Sequence, residues 1–389
     1  MKPARILVVD DQPGMLRAVE RILGRRHQVL CFTSSRQALE GARDFDPELA
    51  ILDIRMPDLD GFELTSLLKK RHPGIDVILM TGSASDPDQN LIRALREDAF
   101  YFIQKPFDSE VLVALVARCL QLRALEDENR RHTRRLEAEL AEARGFQLGL
   151  LPPAEASIGR FAIDCIYEPC SELGGDFYDY APAASRAGVA VMIADVSGHG
   201  ASAAMLTGIV KSGFQSSATD GYDPLAVVER IFASIGSFAP EKFVTVLCAR
   251  LSDDEGVLDY VNAGHPYGFV WRPGPGQAAG TGGAAGSREW IELAPTGPLI
   301  SPALPAGKAR WEKQEIRIAP GDRLLLTTDG ILEASGETES FGDQRLRAAI
   351  DASPEGGAPL LEAILAAVRD HANGRPPSDD FTMMSVRFA

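Results

Sequence analysis

The first third of the chain alternates short apolar runs with segments of helical periodicity. The apolar runs are RILVVDD, HQVLCF, ELAILD, DVILMT and FYFIQ, and the helical segments begin near Gly14, Ser35, Gly61, Asp86 and Asp108. Alternation of this kind predicts a parallel sheet covered by helices on both faces. Ligands of such sheets lie beyond the carboxyl ends of the strands. We therefore expect a doubly wound α/β domain whose functional groups gather at one edge of its sheet.

Polar residues stand just past the ends of these strands: Asp10 and Asp11, then Asp53, Thr81 and Lys105. The last three follow one another at close to one βα unit per step, so all five side chains should meet in one crevice. Three crowded carboxylates repel one another unless a cation neutralises them, which indicates bound Mg²⁺. Asp53 can then attack a phosphoryl group, while Lys105 and Thr81 bond the added oxygens. Singly, Asp10–Asp11 could cap a helix and Lys105 could be a surface charge; together they favour a phosphoryl site.

The motifs VVDD, LDIRMPDLDG, MTG and QKPF resemble those of two-component response-regulator receiver domains over residues 5 to about 120. The resemblance implies a flavodoxin-like fold and phosphorylation of Asp53 by a sensor histidine kinase, a phosphotransfer protein or a small phosphodonor. The implied ligands of Mg²⁺ are Asp10, Asp11, Asp53 and the carbonyl group of Arg55. The implied switch residues are Thr81, Phe102 and Lys105.

A charged segment without glycine or proline, RALEDENRRHTRRLEAELAEAR, follows the last helix of this domain. In steps of seven, one position is occupied by Leu115, Leu122, Asn129, Leu136, Ala143 and Leu150, and Leu125 and Phe146 stand three residues after members of this series. The pattern is typical of a coiled coil, and a single Asn at the first core position fixes a parallel two-stranded register. We therefore predict a homodimer held by this helix. The alternative is a solvated single helix with charge pairs along it, because His132 and Glu139 interrupt the seam.

The second half of the chain has a mixed pattern. FVTVLCARLSDDEGVLDYVNAG reads as a β-hairpin, and helical stretches are predicted at 202–217, 224–237, 344–352 and 359–373. These features predict antiparallel sheets flanked by helices. The low-complexity segment 272–287 is expected to be a mobile loop without function.

Four acidic sites lie at the ends of apolar segments beside tight turns: Asp176, Asp195, Asp329 and the pair Asp379–Asp380. Such positions can aim carboxylates at a shared point, and oxygen ligands without His or Cys favour Mg²⁺ or Mn²⁺ over zinc. Two such ions would lower the pKa of a bridging water and polarise the phosphate that it attacks. For Asp195 alone, a strand-turn-helix join with a solvated carboxylate would explain the sequence equally well.

Six motifs in order, FQLGLLP, SELGGDFYD, ADVSGHG, VNAGHP, LLLTTDGILEA and SDDFT, resemble the SpoIIE/RsbU-type branch of the PPM (2C-type) serine/threonine phosphatases over residues 146–389. The resemblance implies an α/β/β/α sandwich with two Mn²⁺ or Mg²⁺ ions. Asp195 would bridge both ions with the Val196 carbonyl on one of them, Asp329 and Asp379 would complete the other, and Asp176 would hold a water on a metal. Asp380 would support the metal ligands without binding an ion itself.

Two histidines also belong to these motifs. His199 is interpreted either as a general acid or as a structural residue, and His265 as a structural hydrogen-bonding residue. No arginine that would grip the substrate phosphate, as in eukaryotic members of the family, can be identified.

The expected organisation is a receiver domain at 1–120, a coiled-coil connector helix at 121–151 and a phosphatase domain at 152–389. A net charge of −15 argues against nucleic-acid binding. No apolar run reaches the length of a membrane span, the chain enters a strand at once, and the five cysteines are scattered, so we expect a cytoplasmic protein in a reducing compartment.

Two functions fit these features. The first is a receiver-controlled phosphatase, for which this branch implies a phosphorylated anti-sigma-factor antagonist of the STAS type as the substrate. The second is a catalytically inactive adaptor that binds a stress sigma factor or its regulator. Decay to an adaptor should erase the metal carboxylates, and all four acidic sites remain, which favours the enzyme.

Overall fold

The computed structural model describes residues 3–82, 101–183, 188–198, 200–236, 241–272, 289–305, 307–353 and 356–389. It divides into two compact units, Met1–Leu136 and Glu137–Ala389. The helix predicted from about Asp86 lies outside the described residues, as do His199 and all of the low-complexity segment after Arg272. The division between the units falls within the predicted connector.

The first unit contains a parallel sheet with the strand order β2-β1-β3-β4-β5. Its strands are β1 Arg5–Val9, β2 Gln28–Phe32, β3 Leu49–Asp53, β4 Asp76–Thr81 and β5 Tyr101–Gln104. This order is that of flavodoxin-like folds, and it confirms the predicted doubly wound sheet. The parallel pairing sets Asp53 beside Met80 and Thr81 beside Gln104, so the ends of β3, β4 and β5 lie at the same edge.

Strand alternation gives this sheet two hydrophobic cores. Ile6 and Val8 face one core with α1 (Pro13–Leu23), whereas Leu7 and Val9 face the other with α2 (Ser35–Phe45) and α3 (Gly61–Arg71). Helix α3 begins with a capping box, in which the Asp60 side chain accepts from the backbone N–H of Glu63 and the Glu63 side chain accepts from that of Asp60. The cap fixes the start of α3 beside the end of β3, where the Gly61 N–H donates to the carbonyl of Ile54 at 3.0 Å.

A single helix, α4, runs from Ser109 to Leu150. Its first turns bury Leu112 and Val116 in the first unit's core. Beyond them the exposed face carries large apolar side chains: Leu125 is 53% exposed, Leu136 59% and Phe146 73%. The predicted connector is therefore part of one continuous helix with an apolar stripe that faces solvent in the single chain.

The second unit is built on two antiparallel sheets, with the orders β14-β11-β10-β9-β8 and β13-β12-β15-β16-β7-β6. The strands are β6 Glu155–Ile158, β7 Phe161–Glu168, β8 Asp176–Pro182, β9 Gly188–Val196, β10 Val244–Ser252, β11 Val257–Ala263, β12 Gly268–Arg272, β13 Glu289–Leu293, β14 Gln314–Arg317, β15 Arg323–Thr327 and β16 Phe381–Phe388. The helices are α5 Ala201–Ser216, α6 Pro224–Ile235, α7 Asp329–Glu333, α8 Gly342–Ala352 and α9 Ala358–Ala372. The predicted hairpin is β10–β11.

Alternating side chains sort this unit into four layers. Val191 and Ile193 of β9 point into a core between the sheets, whereas Met192 and Ala194 pack against α5 and α6. Phe381 and Met383 of β16 pack on the opposite side against α7, α8 and α9. The predicted α/β/β/α sandwich is therefore confirmed. One local expectation was wrong: β15 ends at Thr327, and Asp329 begins α7 instead of ending the strand.

No helix within the described ranges is both long enough and apolar enough to span a membrane. The five cysteines all lie within the described residues and are free, with Cys119, Cys165 and Cys248 buried.

Candidate functional sites

The first site lies at the edge of the parallel sheet. Asp10 follows β1 and is fully buried, Asp53 ends β3 and is 5% exposed, and Asp11 faces solvent. Each offers a carboxylate oxygen, and the three oxygens lie within 4.8 Å of one another. An all-oxygen group of this size suits one hard divalent cation. The residues present therefore fit the predicted Mg²⁺.

Lys105 connects two of these carboxylates. Its Nζ lies 2.6 Å from Asp10 Oδ2 and 3.0 Å from Asp53 Oδ1. The backbone N–H of Lys105 donates to the Thr81 carbonyl at 2.7 Å, which holds the lysine beside the end of β4. Burial raises the pKa of Asp53; the hydrogen bond and charge of Lys105 oppose the shift, and Asp10 and Asp11 add to it. The predicted crevice therefore contains its carboxylates and its lysine.

The remaining predicted residues of this unit lie around that crevice. Thr81 is the last residue of β4 and is half-buried. Phe102 is a half-buried residue of β5 that packs against the core shared with α2 and α3. Arg55 is exposed in the loop after β3. Their roles in switching and in metal binding stay predictions.

The second site forms where elements of the sandwich end. Asp195 lies near the end of β9, and strand pairing sets Asp176 of β8 and Thr245 of β10 on either side of it. Burial, together with the charges of Asp329, Asp379, Asp380 and Glu333, raises the pKa of Asp195 to about 7. Burial likewise raises the pKa of Asp329, with Asp379 and Glu333 as the next causes. The predicted acidic residues therefore converge from β9, α7 and the loop before β16.

Asp379 and Asp380 differ in what their carboxylates contact. Asp380 Oδ1 accepts from the N–H of Cys170 at 2.8 Å, and Oδ2 accepts from those of Gly175 at 2.6 Å and Asp176 at 3.2 Å. Both oxygens of this buried carboxylate thus hold the backbone of the 170–176 loop. Asp379 is exposed, and with Cys170 and Asp380 it forms a group whose potential ligand atoms lie within 4.8 Å. Asp195 and Asp329 are outside that group.

Asp176 is enclosed beside Asp195. Its Oδ2 accepts hydrogen bonds from the hydroxyl groups of Thr328 at 2.7 Å and Thr382 at 2.6 Å. Burial, with the charge of Asp195 next, raises the pKa of Asp176 well above its usual value, although the two hydroxyls oppose the shift. The orientation of the Asp176 carboxylate is therefore fixed by Thr328, just after β15, and by Thr382, near the start of β16.

Close backbone packing shapes the turn after Asp195. Gly198 and Gly200 adopt φ values of 81° and 83°, which favour glycine. A Cβ on Gly175 would lie 2.5 Å from the Val196 carbonyl oxygen and 2.7 Å from that of Gly198. The Val196 N–H donates to the Gly175 carbonyl at 3.1 Å. The predicted Val196 ligand is thus held against the 170–176 loop.

His265 is fully buried, and its Nδ1 lies 2.8 Å from the Thr245 hydroxyl. Burial lowers the pKa of His265 to about 3, so the ring is neutral. Its contacts agree with the structural role expected from the sequence.

Several residues of this site were not predicted from the sequence. Glu333, an electrostatic neighbour of Asp195 and Asp329, stands four residues after Asp329, a helical spacing that could have revealed it. Thr328, Thr382 and Gln147 have no such local signal. The Lys242 ammonium donates to the Ser197 carbonyl at 2.8 Å and so brings a cation to the turn after Asp195, where no arginine had been identified.

Comparisons with known proteins identify both domains. A family model described as "Response regulator receiver domain" matches residues 6–117, and one described as "Stage II sporulation protein E (SpoIIE)" matches residues 185–389, more than half of the chain. The SiaA-PP2C domain of Pseudomonas aeruginosa superposes with a TM-score of 0.55 at 22% identity, covering 66% of this chain and 99% of that one, which shows a shared fold.

Two curated relatives cover different parts of the chain. Protein IcfG of Synechocystis is 26% identical over 281 residues, which cover 64% of this chain and 41% of that protein. Regulatory protein AtoC of Escherichia coli is 34% identical over 127 residues, which cover 32% of this chain and 27% of that protein. The chain thus spans well under half the length of either relative.

The comparisons define a response-regulator receiver domain followed by a SpoIIE domain with a PP2C-type fold. The chain belongs to the SpoIIE family. The family resemblances stated from the sequence are confirmed for both domains.

Gly175→Ala should disrupt the second site, because its Cβ would displace the carbonyl groups of Val196 and Gly198. We expect Mn²⁺ affinity to fall at least about 10-fold, the scale of losing a partner that orients metal ligands. Titration calorimetry in protein that carries Asp53→Ala, to remove a receiver ligand, measures this. Gly149→Ala, at a helical glycine with no atom within 4 Å of a new Cβ, is the control. Unchanged Mn²⁺ affinity in Gly175→Ala would contradict the assigned packing.

Asp195→Asn should have opposite effects on the metal-free and metal-loaded protein. Without metal, removing one of several crowded carboxylates relieves repulsion, so the melting temperature of the second unit should rise. With Mn²⁺, the stabilisation seen in wild type should be lost. Thermal unfolding with and without Mn²⁺ measures both, and Asp254→Asn, in an exposed turn, is the control. A variant that Mn²⁺ stabilises as much as wild type would count against Asp195 as a ligand.

Proposed function

We propose that this chain is a response regulator whose output is a metal-dependent protein serine/threonine phosphatase. The observation that supports the proposal is that Asp195 lies close enough to Asp329 and Asp379 to interact with their charges in a SpoIIE-family fold. We further propose that residues 1–120 form the receiver, 121–151 the connector and 152–389 the phosphatase domain. The cytoplasmic location expected from the sequence stays a prediction.

The chemistry that we propose uses the acidic groups of the second site. Asp195 and the Val196 carbonyl, with Asp329 and Asp379, would hold two Mn²⁺ or Mg²⁺ ions. When bound, such ions lower the pKa of a water and polarise a phosphate ester. Asp176, oriented by the hydroxyls of Thr328 and Thr382, would position a water. Asp380 would act indirectly, because its carboxylate holds backbone N–H groups.

The regulation that we propose begins at Asp53. A sensor histidine kinase or phosphotransfer protein would supply the phosphoryl group, and Mg²⁺ would be held by Asp10, Asp11, Asp53 and the Arg55 carbonyl. Lys105 already contacts Asp10 and Asp53, so a phosphoryl group on Asp53 would give its ammonium a new anionic partner. Thr81 would bond the same group and Phe102 would respond to the change, as in other receiver switches.

For the substrate we propose a phosphorylated STAS-type anti-sigma-factor antagonist, which rests on the family resemblance. An inactive adaptor for a stress sigma factor or its regulator is the competing function. The retained carboxylates at all four acidic sites favour the enzyme.

Phosphate release from phosphoserine proteins in Mn²⁺ tests the enzyme. Asp195→Asn should lower the rate about 100-fold or more, because a cation supplies several kcal/mol of charge stabilisation. Asp53→Ala should abolish any difference in rate between protein treated with acetyl phosphate and untreated protein. Wild type that releases no phosphate would reject the phosphatase and favour the adaptor. Equal rates for treated and untreated wild type would reject control by the receiver.

The predicted homodimer is supported by the exposed stripe on α4 that includes Leu125 and Leu136. At micromolar concentration, sedimentation should show a dimer, and Leu136→Glu should convert it to a monomer because a charge at a coiled-coil core position opposes pairing. Ala141→Glu adds the same charge to the same helix off the seam and should leave the dimer intact. A wild-type monomer would reject the coiled coil.

A further inference from the structure

We propose that Gln147, near the end of α4, is a positioning residue for the metal site of the second unit, an inference that rests on the proposed function. The side chains on either side of it are exposed, Phe146 by 73% and Leu148 by 43%, whereas Gln147 is only 5% exposed. Glutamine is rarely buried without partners, because its amide carries donors and acceptors that must be satisfied. Its burial therefore requires a specific contact.

That contact is made with one residue of the 170–176 loop. Gln147 Nε2 donates to the Gly174 carbonyl at 2.7 Å, and the Gly174 N–H donates to Gln147 Oε1 at 3.2 Å. The side-chain amide thus satisfies both backbone groups of Gly174, as a neighbouring strand would. Glutamine provides a donor and an acceptor in one plane at this reach, and leucine of similar size provides neither.

Gly174 has little freedom to move alone. A Cβ on it would lie 2.4 Å from Tyr167 Oη and 2.6 Å from Asp380 Oδ2. The next residue, Gly175, donates its N–H to Asp380 Oδ2 at 2.6 Å and accepts from the Val196 N–H at 3.1 Å. A displacement of Gly174 would therefore also move Gly175, which holds the backbone of Val196, and Asp380, which is next to Asp379.

A second contact joins α4 to the same loop but is much weaker. Arg144 Nη1 lies 3.5 Å from Glu172 Oε2, and both side chains are largely exposed. Exposed ion pairs of this kind contribute little to stability. Gln147 is thus the buried connection between helix and loop among the described residues, and Arg144 is the natural control.

The geometry makes this connection sensitive to the orientation of α4. Side chains lie off the axis of a helix. A rotation of α4 about its axis would therefore carry the Gln147 amide away from Gly174. Because both bonds go to one residue, they would be lost together. Loss of both bonds would free Gly174 and, through Gly175, the backbone that holds the Val196 carbonyl.

Mn²⁺ binding tests the inference independently of turnover. Calorimetry would use the full chain with Asp53→Ala as the parent and compare Gln147→Glu, Gln147→Leu and Arg144→Gln. Gln147→Glu keeps the shape but sets an oxygen against the Gly174 carbonyl. We expect the dissociation constant for Mn²⁺ to rise about 10-fold to 100-fold in both Gln147 variants, the scale for partners that orient metal ligands, and less than about twofold in Arg144→Gln.

Hydrogen exchange separates positioning from general destabilisation. In both Gln147 variants, exchange should accelerate in peptides that cover 170–176 and stay unchanged in β10 and β11. Mn²⁺ affinity within twofold of the parent in Gln147→Glu, or equal acceleration across the unit in both variants, would overturn the proposal. Failure of the proposed phosphatase would appear instead as wild type that binds Mn²⁺ but releases no phosphate.

Discussion

Carboxylates crowded together and shielded from water are the constraint on which both units depend. In the first, Asp10 and Asp53 are almost inaccessible and share the ammonium of Lys105. In the second, burial and neighbouring charges raise the pKa of Asp195 to about 7. Uncompensated buried charges are costly, so each arrangement is stable only with a counter-charge. A divalent cation meets that requirement at both places, and at the first Lys105 meets part of it.

The two folds gather their acids by different routes. Parallel strands deliver Asp10 and Asp53 to one edge, because β1 and β3 are neighbours that run in the same direction. The antiparallel sandwich instead combines the end of β9, the start of α7 and the loop before β16. Its acids come from segments that are far apart in the sequence, so the 170–176 loop and Asp380 have to tie those segments together. This explains why the carboxylate of Asp380, the neighbour of Asp379, accepts hydrogen bonds from backbone N–H groups.

Much of this was predictable from the sequence, because strand alternation and turn residues are local signals. The doubly wound sheet, the antiparallel sheets flanked by helices and the acidic segments followed from them, whereas the four-layer sandwich was implied by the family resemblance. The different roles of the acidic residues within the second site did not follow from local signals. Asp379 and Asp380 are adjacent in sequence, and only the distant N–H groups of the 170–176 loop distinguish them; the family motif favoured Asp379 as a ligand without giving this reason. The hydroxyls on Asp176 and the amide of Gln147 act through tertiary contacts, which no periodicity reveals.

Helix α4 combines three chemically different stretches in one continuous element. Its first turns bury apolar side chains, its middle exposes leucines amid charge, and its end buries the amide of Gln147. At 1.5 Å per residue, its 42 residues extend roughly 63 Å. With no glycine or proline from 111 to 144, that stretch of the helix lacks the residues at which helices most often bend, so a rotation imposed at one end of the stretch can persist along it; Gly145 and Gly149 lie beyond it, on either side of Gln147. A flexible linker would lose that rotation, whereas a helix paired through its leucines could hold one of a few discrete orientations. The buried polar contact at its end is the kind that such a discrete change makes or breaks.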